Sequence, residues 1–161
     1  MNIPKINLIY IFGSVIAASA LLYSKAQADG HYFPPIKDPV VLEECGSCHL
    51  AFPAALLPAR SWDRMMNELD NHFGDDASLT PELNQHVRQY LMQNAAESNR
   101  RGTKWIRDLA DNASPQRITE LPKWKREHRK VKDWEWQQAD VKTKSNCAAC
   151  HDDAERGYFD D

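Results

Sequence analysis

Apolar residues recur at helical spacing most clearly between Ser61 and Phe73, where Ser61 is a suitable N-cap and Gly74 a suitable stop. The apolar stripe, at positions i, i+3, i+4, i+7, i+10 and i+11, consists of Trp62, Met65, Met66, Leu69, His72 and Phe73. This spacing predicts an amphipathic helix, and it places His72 on the buried face of that helix.

Two further stretches have the same periodicity. One helix is predicted to begin after Thr80, with Pro81 in its first position, and to run to about Ala96. Another is predicted to begin at Pro122 and to end near Val131. The face that this last helix buries is formed by Trp124, His128 and Val131.

Shorter helices complete the prediction. They cover Val40 to Cys48, Trp105 to Ala110, and a segment that is capped by Ser145 or Asn146 and ended by Gly157; the stretch between Pro53 and Pro58 has room for one helical turn. Because no convincing pair of strands is present, the predicted fold class is all-α. The polar, glycine-containing segment 97–103 predicts a boundary, which divides the chain into two small modules, residues 29–100 and 101–161.

The first 28 of the 161 residues have the pattern of a secretory signal peptide. Lys5 precedes a mostly apolar stretch from Ile6 to Tyr23, and Ala26-Gln27-Ala28 is a small-x-small cleavage site. We therefore expect cleavage after Ala28 and export to the periplasm; the alternative is an uncleaved membrane anchor. Removal of two lysines and no acids changes the formal net charge from −3 to −5, which excludes a typical nucleic-acid binder.

Two pentapeptides carry the chemistry of the chain: Cys45-Gly46-Ser47-Cys48-His49 and Cys147-Ala148-Ala149-Cys150-His151. Both have the Cys-x-x-Cys-His pattern of c-type haem attachment, in which two thiols form thioethers to the haem vinyl groups. The following histidine, His49 or His151, then supplies the proximal iron ligand. The motifs account for all four cysteines and predict two covalently attached haems.

Two Cys-x-x-Cys pairs can also bind zinc, act as a redox site or form structural disulfides. A zinc ribbon keeps its pairs much closer than these, which are separated by residues 49–146. A thioredoxin-like site needs an adjoining βαβ pattern, and structural disulfides would not require a histidine after each pair. The cofactor that fits the pattern best is therefore haem.

The sixth iron ligands are less closely specified. His72 and His128 lie on predicted apolar helix faces, one in each module. Met65, Met66 and His86 remain alternatives to His72, and His31 lies in a proline-containing lead-in. No methionine competes with His128 in the second module.

The chain resembles a family of small exported dihaem cytochromes c that occur with an oxygen-binding monohaem cytochrome and a membrane b-type cytochrome. The segments that carry the resemblance are Glu44–His49, Leu57–Trp62, Asp70–Gly74, Arg117–Pro122, Trp124, Glu127-His128 and Asn146–His151. The resemblance implies that the first module has a small monohaem cytochrome c fold. It also implies that His49 pairs with His72 and His151 with His128 on the two irons.

The expected function is electron transfer from a membrane donor to a soluble acceptor, without catalysis and without a small-molecule substrate. The alternatives are a haem-based gas or redox sensor and a small haem peroxidase, both of which need an iron position that can open. A basic run from Lys123 to Lys132 is either a solvated helix face or a docking patch for a partner.

Overall fold

The computed structural model describes residues 32–160; the predicted signal peptide and His31 lie outside the described residues. This part of the chain forms six α-helices: α1 (Pro39–Gly46), α2 (Ala59–Asn67), α3 (Pro81–Gln93), α4 (Arg100–Trp105), α5 (Pro122–Glu127) and α6 (Asp133–Trp136). Five 3₁₀-helices lie between them and two follow the last: Ala54–Leu56, Leu69–Asn71, Ala96–Ser98, Ile118–Glu120 and His128–Lys130, then Cys147–Ala149 and Ala154–Arg156. Between residues 32 and 160 there is no strand, only isolated β-bridges, and the all-α prediction is confirmed.

Helices α1 and α3 begin where local sequence signals place them. The Asp38 carboxylate accepts hydrogen bonds from the backbone N–H groups of Val40 and Val41, which would otherwise lack partners in the first turn of α1. The Thr80 hydroxyl accepts from the N–H of Leu83, at 3.3 Å, and so caps α3. In the described part of the chain no helix is long and apolar enough to cross a membrane.

Helix α2 differs from the prediction at both ends. It begins after Pro58, so Ser61 lies buried within the helix and is not its cap. It ends at Asn67, and the side-chain amide of Asn84 on α3 donates to the carbonyl of the preceding Met66, at 2.8 Å. His72 therefore does not extend the helical stripe. It lies in the turn after α2.

The polar segment 97–103 contains the start of helix α4, which the sequence pattern did not predict, and the helix predicted over Trp105 to Ala110 is wrong. Asn99 accepts hydrogen bonds from the N–H groups of Arg101 and Gly102 and caps the helix. Gly102 is required by close packing, because a Cβ there would lie 2.4 Å from the Ala96 carbonyl oxygen. In the sequence this glycine suggested a boundary between modules. In the fold it allows α4 to pack closely against Ala96.

The predicted helices of the second half are shorter in the structure. Helix α5 ends at Glu127 and continues as the 3₁₀-helix His128–Lys130, whereas one helix to Val131 was expected. The second Cys-x-x-Cys-His motif forms the 3₁₀-helix Cys147–Ala149 and not an α-helix. Gly157 does end the last helical turn, with φ +86°, as its position in the sequence suggested.

The main hydrophobic core is formed mostly by residues of the first half of the described chain. Its members are Phe33, Ile36, Val41, Ala51, Ala54, Ala55, Leu56, Leu57, Trp62, Met66, Val87, Leu91, Ala95, Trp105, Leu121 and Trp124. Two indoles fix its centre: Nε1 of Trp62 donates to the Ala54 carbonyl (2.7 Å) and Nε1 of Trp105 to the Leu56 carbonyl (3.2 Å). Residues 106–160 contribute few buried apolar side chains, so the second half has little apolar core of its own.

The two ends of the described chain meet. The N–H of Phe33 donates to the Gly157 carbonyl at 2.8 Å, and the ring of Phe33 packs edge-on against Trp105 and Phe159. Trp105, from the predicted second module, thus packs in the core that is formed mostly by residues before it in the chain. The division into modules 29–100 and 101–161 stays a prediction.

Candidate haem sites

The first candidate site lies where α1 and the turn after α2 face each other. The rings of His49 and His72 have their centroids 6.2 Å apart, with 24° between their planes. A metal–imidazole bond is about 2 Å long, so two rings that ligate one metal from opposite sides have centroids about 6 Å apart. The separation of His49 and His72 fits that arrangement.

The orientation of His49 is set by its own backbone. Nδ1 lies 2.8 Å from the Leu50 carbonyl oxygen, which can only accept, so Nδ1 carries the proton. Nε2 is then left with the lone pair that a metal needs. The ring also stacks on Phe52, with centroids 5.2 Å apart.

His72 is held by a tight backbone turn. Its N–H donates to the Asp75 carbonyl at 2.7 Å, and the Asp75 N–H donates back at 3.2 Å. Phe73 (φ +58°) and Gly74 (φ +109°) supply the left-handed conformations that close the turn. Partial burial lowers the pKa of His72, and the neighbouring His49 and Arg117 lower it further, which favours the neutral imidazole.

The second candidate site pairs His128 with His151. Their ring centroids are 6.1 Å apart, and the planes are nearly perpendicular, at 83°. Nδ1 of His128 lies 2.9 Å from the Trp124 carbonyl oxygen, which again leaves Nε2 as the unprotonated nitrogen. The imidazole also stacks on the Trp124 ring, with centroids 4.2 Å apart. The hydrogen bond and the stacking together fix the orientation of the ring.

The thiols lie beside these histidines and are not linked to one another. Cys45 and Cys147 are partly buried, and burial raises the pKa of each thiol to about 11. Cys48 and Cys150 are exposed. Among residues 32–160 there is no group of three or more His, Cys, Asp or Glu side chains arranged to hold a metal ion, so the one-zinc alternative has no ligand cluster there.

The other candidate ligands are engaged elsewhere. Met66 is buried in the core, and the partly buried Met65 packs against that core. Nε2 of His86, on α3, lies 2.9 Å from the Asp38 carboxylate, and this contact ties α3 to the start of α1. The structure therefore brings His72, and not these residues, opposite His49.

Comparisons with known proteins identify the family of the chain. A family profile described as "Dihaem cytochrome c" matches residues 41–159. The chain belongs to the dihaem cytochrome c family. As a dihaem cytochrome c it has two haem c cofactors and is a haem electron-transfer protein.

Three solved structures are similar to this cytochrome. A diheme cytochrome c from Rhodobacter sphaeroides is 46% identical with a TM-score of 0.73, and the match covers 78% of this chain and 99% of that one. DHC purified from Rhodobacter sphaeroides is 43% identical with a TM-score of 0.65 and the same coverage. A diheme cytochrome type c from Shewanella baltica is 37% identical with a TM-score of 0.63, and covers 76% of this chain and 86% of that one. No curated protein matches the chain.

Sequence patterns did not indicate several neighbours of the sites in this cytochrome. Phe159 lies 5.8 Å from His151 and Trp136 lies 6.1 Å from His128, ring centroid to centroid. Arg117, from the second half of the chain, lies over the Phe73 ring at 3.8 Å, beside the first site. All three come from segments without strong helical periodicity, so no periodic signal could have placed them.

We expect Asp38→Ala to lower the thermal midpoint of the cytochrome by about 3 °C, since it removes the cap of α1. The hydrogen bond from the Val41 N–H, with help from His86, lowers the pKa of Asp38. This contribution is complete near neutral pH and is lost as the pH falls through the lowered, folded-state pKa. Thermal melts of the wild type and variant at several pH values should converge at acidic pH. His86→Ala is the matched control: it should cost less stability and leave the haem spectra unchanged.

Proposed function

We propose that this protein is an exported dihaem electron carrier in which each iron is held between two histidines. The proposed axial pairs are His49 with His72 and His151 with His128; the proposed thioether residues are Cys45 and Cys48 for the first haem and Cys147 and Cys150 for the second. The observation that carries the proposal is the centroid separation of 6.2 Å in one histidine pair and 6.1 Å in the other.

Two histidines on each iron would leave no coordination position for a substrate. The chain would then act by holding its ligands rigidly, which favours one-electron transfer over catalysis or gas binding. The Leu50 and Trp124 carbonyls keep His49 and His128 in the tautomer that ligates through Nε2. Histidine in place of methionine also favours a lower reduction potential than that of histidine–methionine carriers.

The finer role follows from the sequence and the family resemblance. Residues 1–28 have the features of a signal peptide, so we place the mature protein in the periplasm. We further propose a membrane b-type cytochrome as electron donor and a soluble monohaem c-type cytochrome as acceptor. No small-molecule substrate is expected.

The test is a combined mass, optical and electron paramagnetic resonance (EPR) measurement on the purified protein. The mass should exceed that of residues 29–161 by two haems. Near-parallel and near-perpendicular imidazole planes, 24° and 83°, should give two different ferric low-spin EPR signals, a rhombic one and one with a large maximal g value. Reduced protein should not bind carbon monoxide.

A high-spin signal or ready carbon monoxide binding in the wild type would contradict the carrier proposal. Those results would favour a gas sensor or a peroxidase, since both need an open iron position.

A further inference from the structure

The segment that carries His128 is strongly basic. Residues 123–136 contain six lysines or arginines and three acidic residues. The basic members are Lys123, Lys125, Arg126, Arg129, Lys130 and Lys132. The segment also contains Trp134, whose side chain is 64% exposed, the largest fraction among the exposed large apolar side chains in the described chain.

Only part of this positive charge is neutralised within the protein. Lys123 pairs with Glu127, and Arg126 pairs with Asp108 at 2.6 Å. Within residues 32–160 the exposed ammonium groups of Lys125, Lys130 and Lys132 have no ion pair. The Arg129 guanidinium, also exposed, donates to the main-chain carbonyl of Arg126 and keeps its charge.

These groups belong to the same short segment as His128 of the second candidate site. They lie within six residues of His128, and Lys144 adds positive charge nearby, with Nζ 5.4 Å above the Trp136 ring. Trp136 in turn lies 6.1 Å from His128. An electron that leaves the second haem through the His128 side would therefore emerge beside unpaired cations and an exposed indole.

The charge of the chain is unevenly distributed. Residues 32–100 contain five lysines and arginines and ten acidic residues, which gives a formal charge of −5. Residues 101–160 contain thirteen lysines and arginines and eleven acidic residues, which gives a formal charge of +2. Such a dipole orients a charged partner before contact, and its effect falls as salt screens it. A negatively charged protein is directed toward the second half.

We propose that Lys125, Arg129, Lys130, Lys132 and Trp134, here called the basic patch, dock the acidic face of a redox protein next to the second haem. The proposal rests on the proposed electron-carrier function and specifies the chemistry of one partner. The partner has carboxylates around its own redox centre and an apolar area that accepts Trp134. The cations accelerate and orient the encounter, and the indole adds contact area that salt does not weaken.

The experiment uses the intact dihaem protein and reduced flavodoxin, a small acidic flavoprotein, as the electron-donating probe. Stopped-flow kinetics should give a second-order rate constant that falls as ionic strength rises. Lys130→Glu with Lys132→Glu should lower that rate constant at low salt by about tenfold. The matched control, Lys37→Glu with Lys104→Glu, makes the same change in net charge at exposed lysines outside the patch and should change the rate much less.

Two further measurements separate docking from indirect effects. With a basic monohaem cytochrome c as electron acceptor, the same patch variant should react faster at low salt, because the repulsion is removed. Trp134→Ala should slow the flavodoxin reaction at low and high salt alike. Reduction by dithionite and the reduction potentials should be unchanged in all variants.

Equal rate constants for the patch and control variants would overturn the proposed docking role of the basic patch, and so would a wild-type rate constant that does not depend on salt. A failure of the carrier proposal can be distinguished from a failure of the docking proposal. The first is detected by carbon monoxide binding to the wild type. The second is detected by the difference between patch and control variants, which depends only on where the partner docks.

Discussion

His128→Ala should open one of the two irons and leave the other unchanged. His128 is the proposed sixth ligand of the second haem, and its ring lies opposite His151 with perpendicular planes. The variant should therefore show one high-spin ferric iron and bind one carbon monoxide per protein when reduced. The EPR signal with the large maximal g value should disappear, and the rhombic signal should remain.

His72→Ala is the counterpart at the first site. It should remove the rhombic signal and keep the other, because His72 and His49 have nearly parallel rings. His86→Ala should change neither signal, since His86 contacts the Asp38 carboxylate. If His86→Ala opens an iron while His72→Ala does not, the ligand assignment is wrong. A methionine–iron charge-transfer band in the wild type would instead favour Met65 or Met66.

Cys147→Ala with Cys150→Ala should yield a protein with one haem and a poorly ordered second half. Of nineteen buried apolar residues in the described chain, fourteen precede residue 100, so residues 106–160 bury little without their haem. Ligand binding contributes to folding stability at metal sites in general, and loss of the haem removes that contribution. Limited proteolysis followed by mass spectrometry should locate cleavage between Ile106 and Asp160.

The matched variant is Cys45→Ala with Cys48→Ala. It also loses one haem, but it retains the core around Trp62 and Trp105 and should keep that region resistant to protease. Native-like resistance of residues 106–160 in the Cys147 and Cys150 variant would show that the second half folds without its haem.

Local signals predicted part of the fold well. Thr80 with Pro81 marks the start of α3, because a cap and a helix-compatible proline act within one turn. The same kind of signal was misread around Gly102, where a glycine that looks like a break is needed for contact with Ala96. Periodicity alone predicted a helix that extends beyond Asn67. The hydrogen bond from Asn84 that accompanies the observed end comes from another helix, so a local pattern does not indicate it.

By itself, the sequence determined the all-α class and the two Cys-x-x-Cys-His motifs, because helix caps, helical periodicity and haem attachment all act over a few residues. It singled out His72 and His128 as candidate ligands, although His72 was expected on a continuous helix. Only the tertiary structure placed His72 in a turn opposite His49, and brought Arg117, Trp136 and Phe159 to the sites. These contacts join residues far apart in the chain, and packing between elements, rather than any local pattern, decides them.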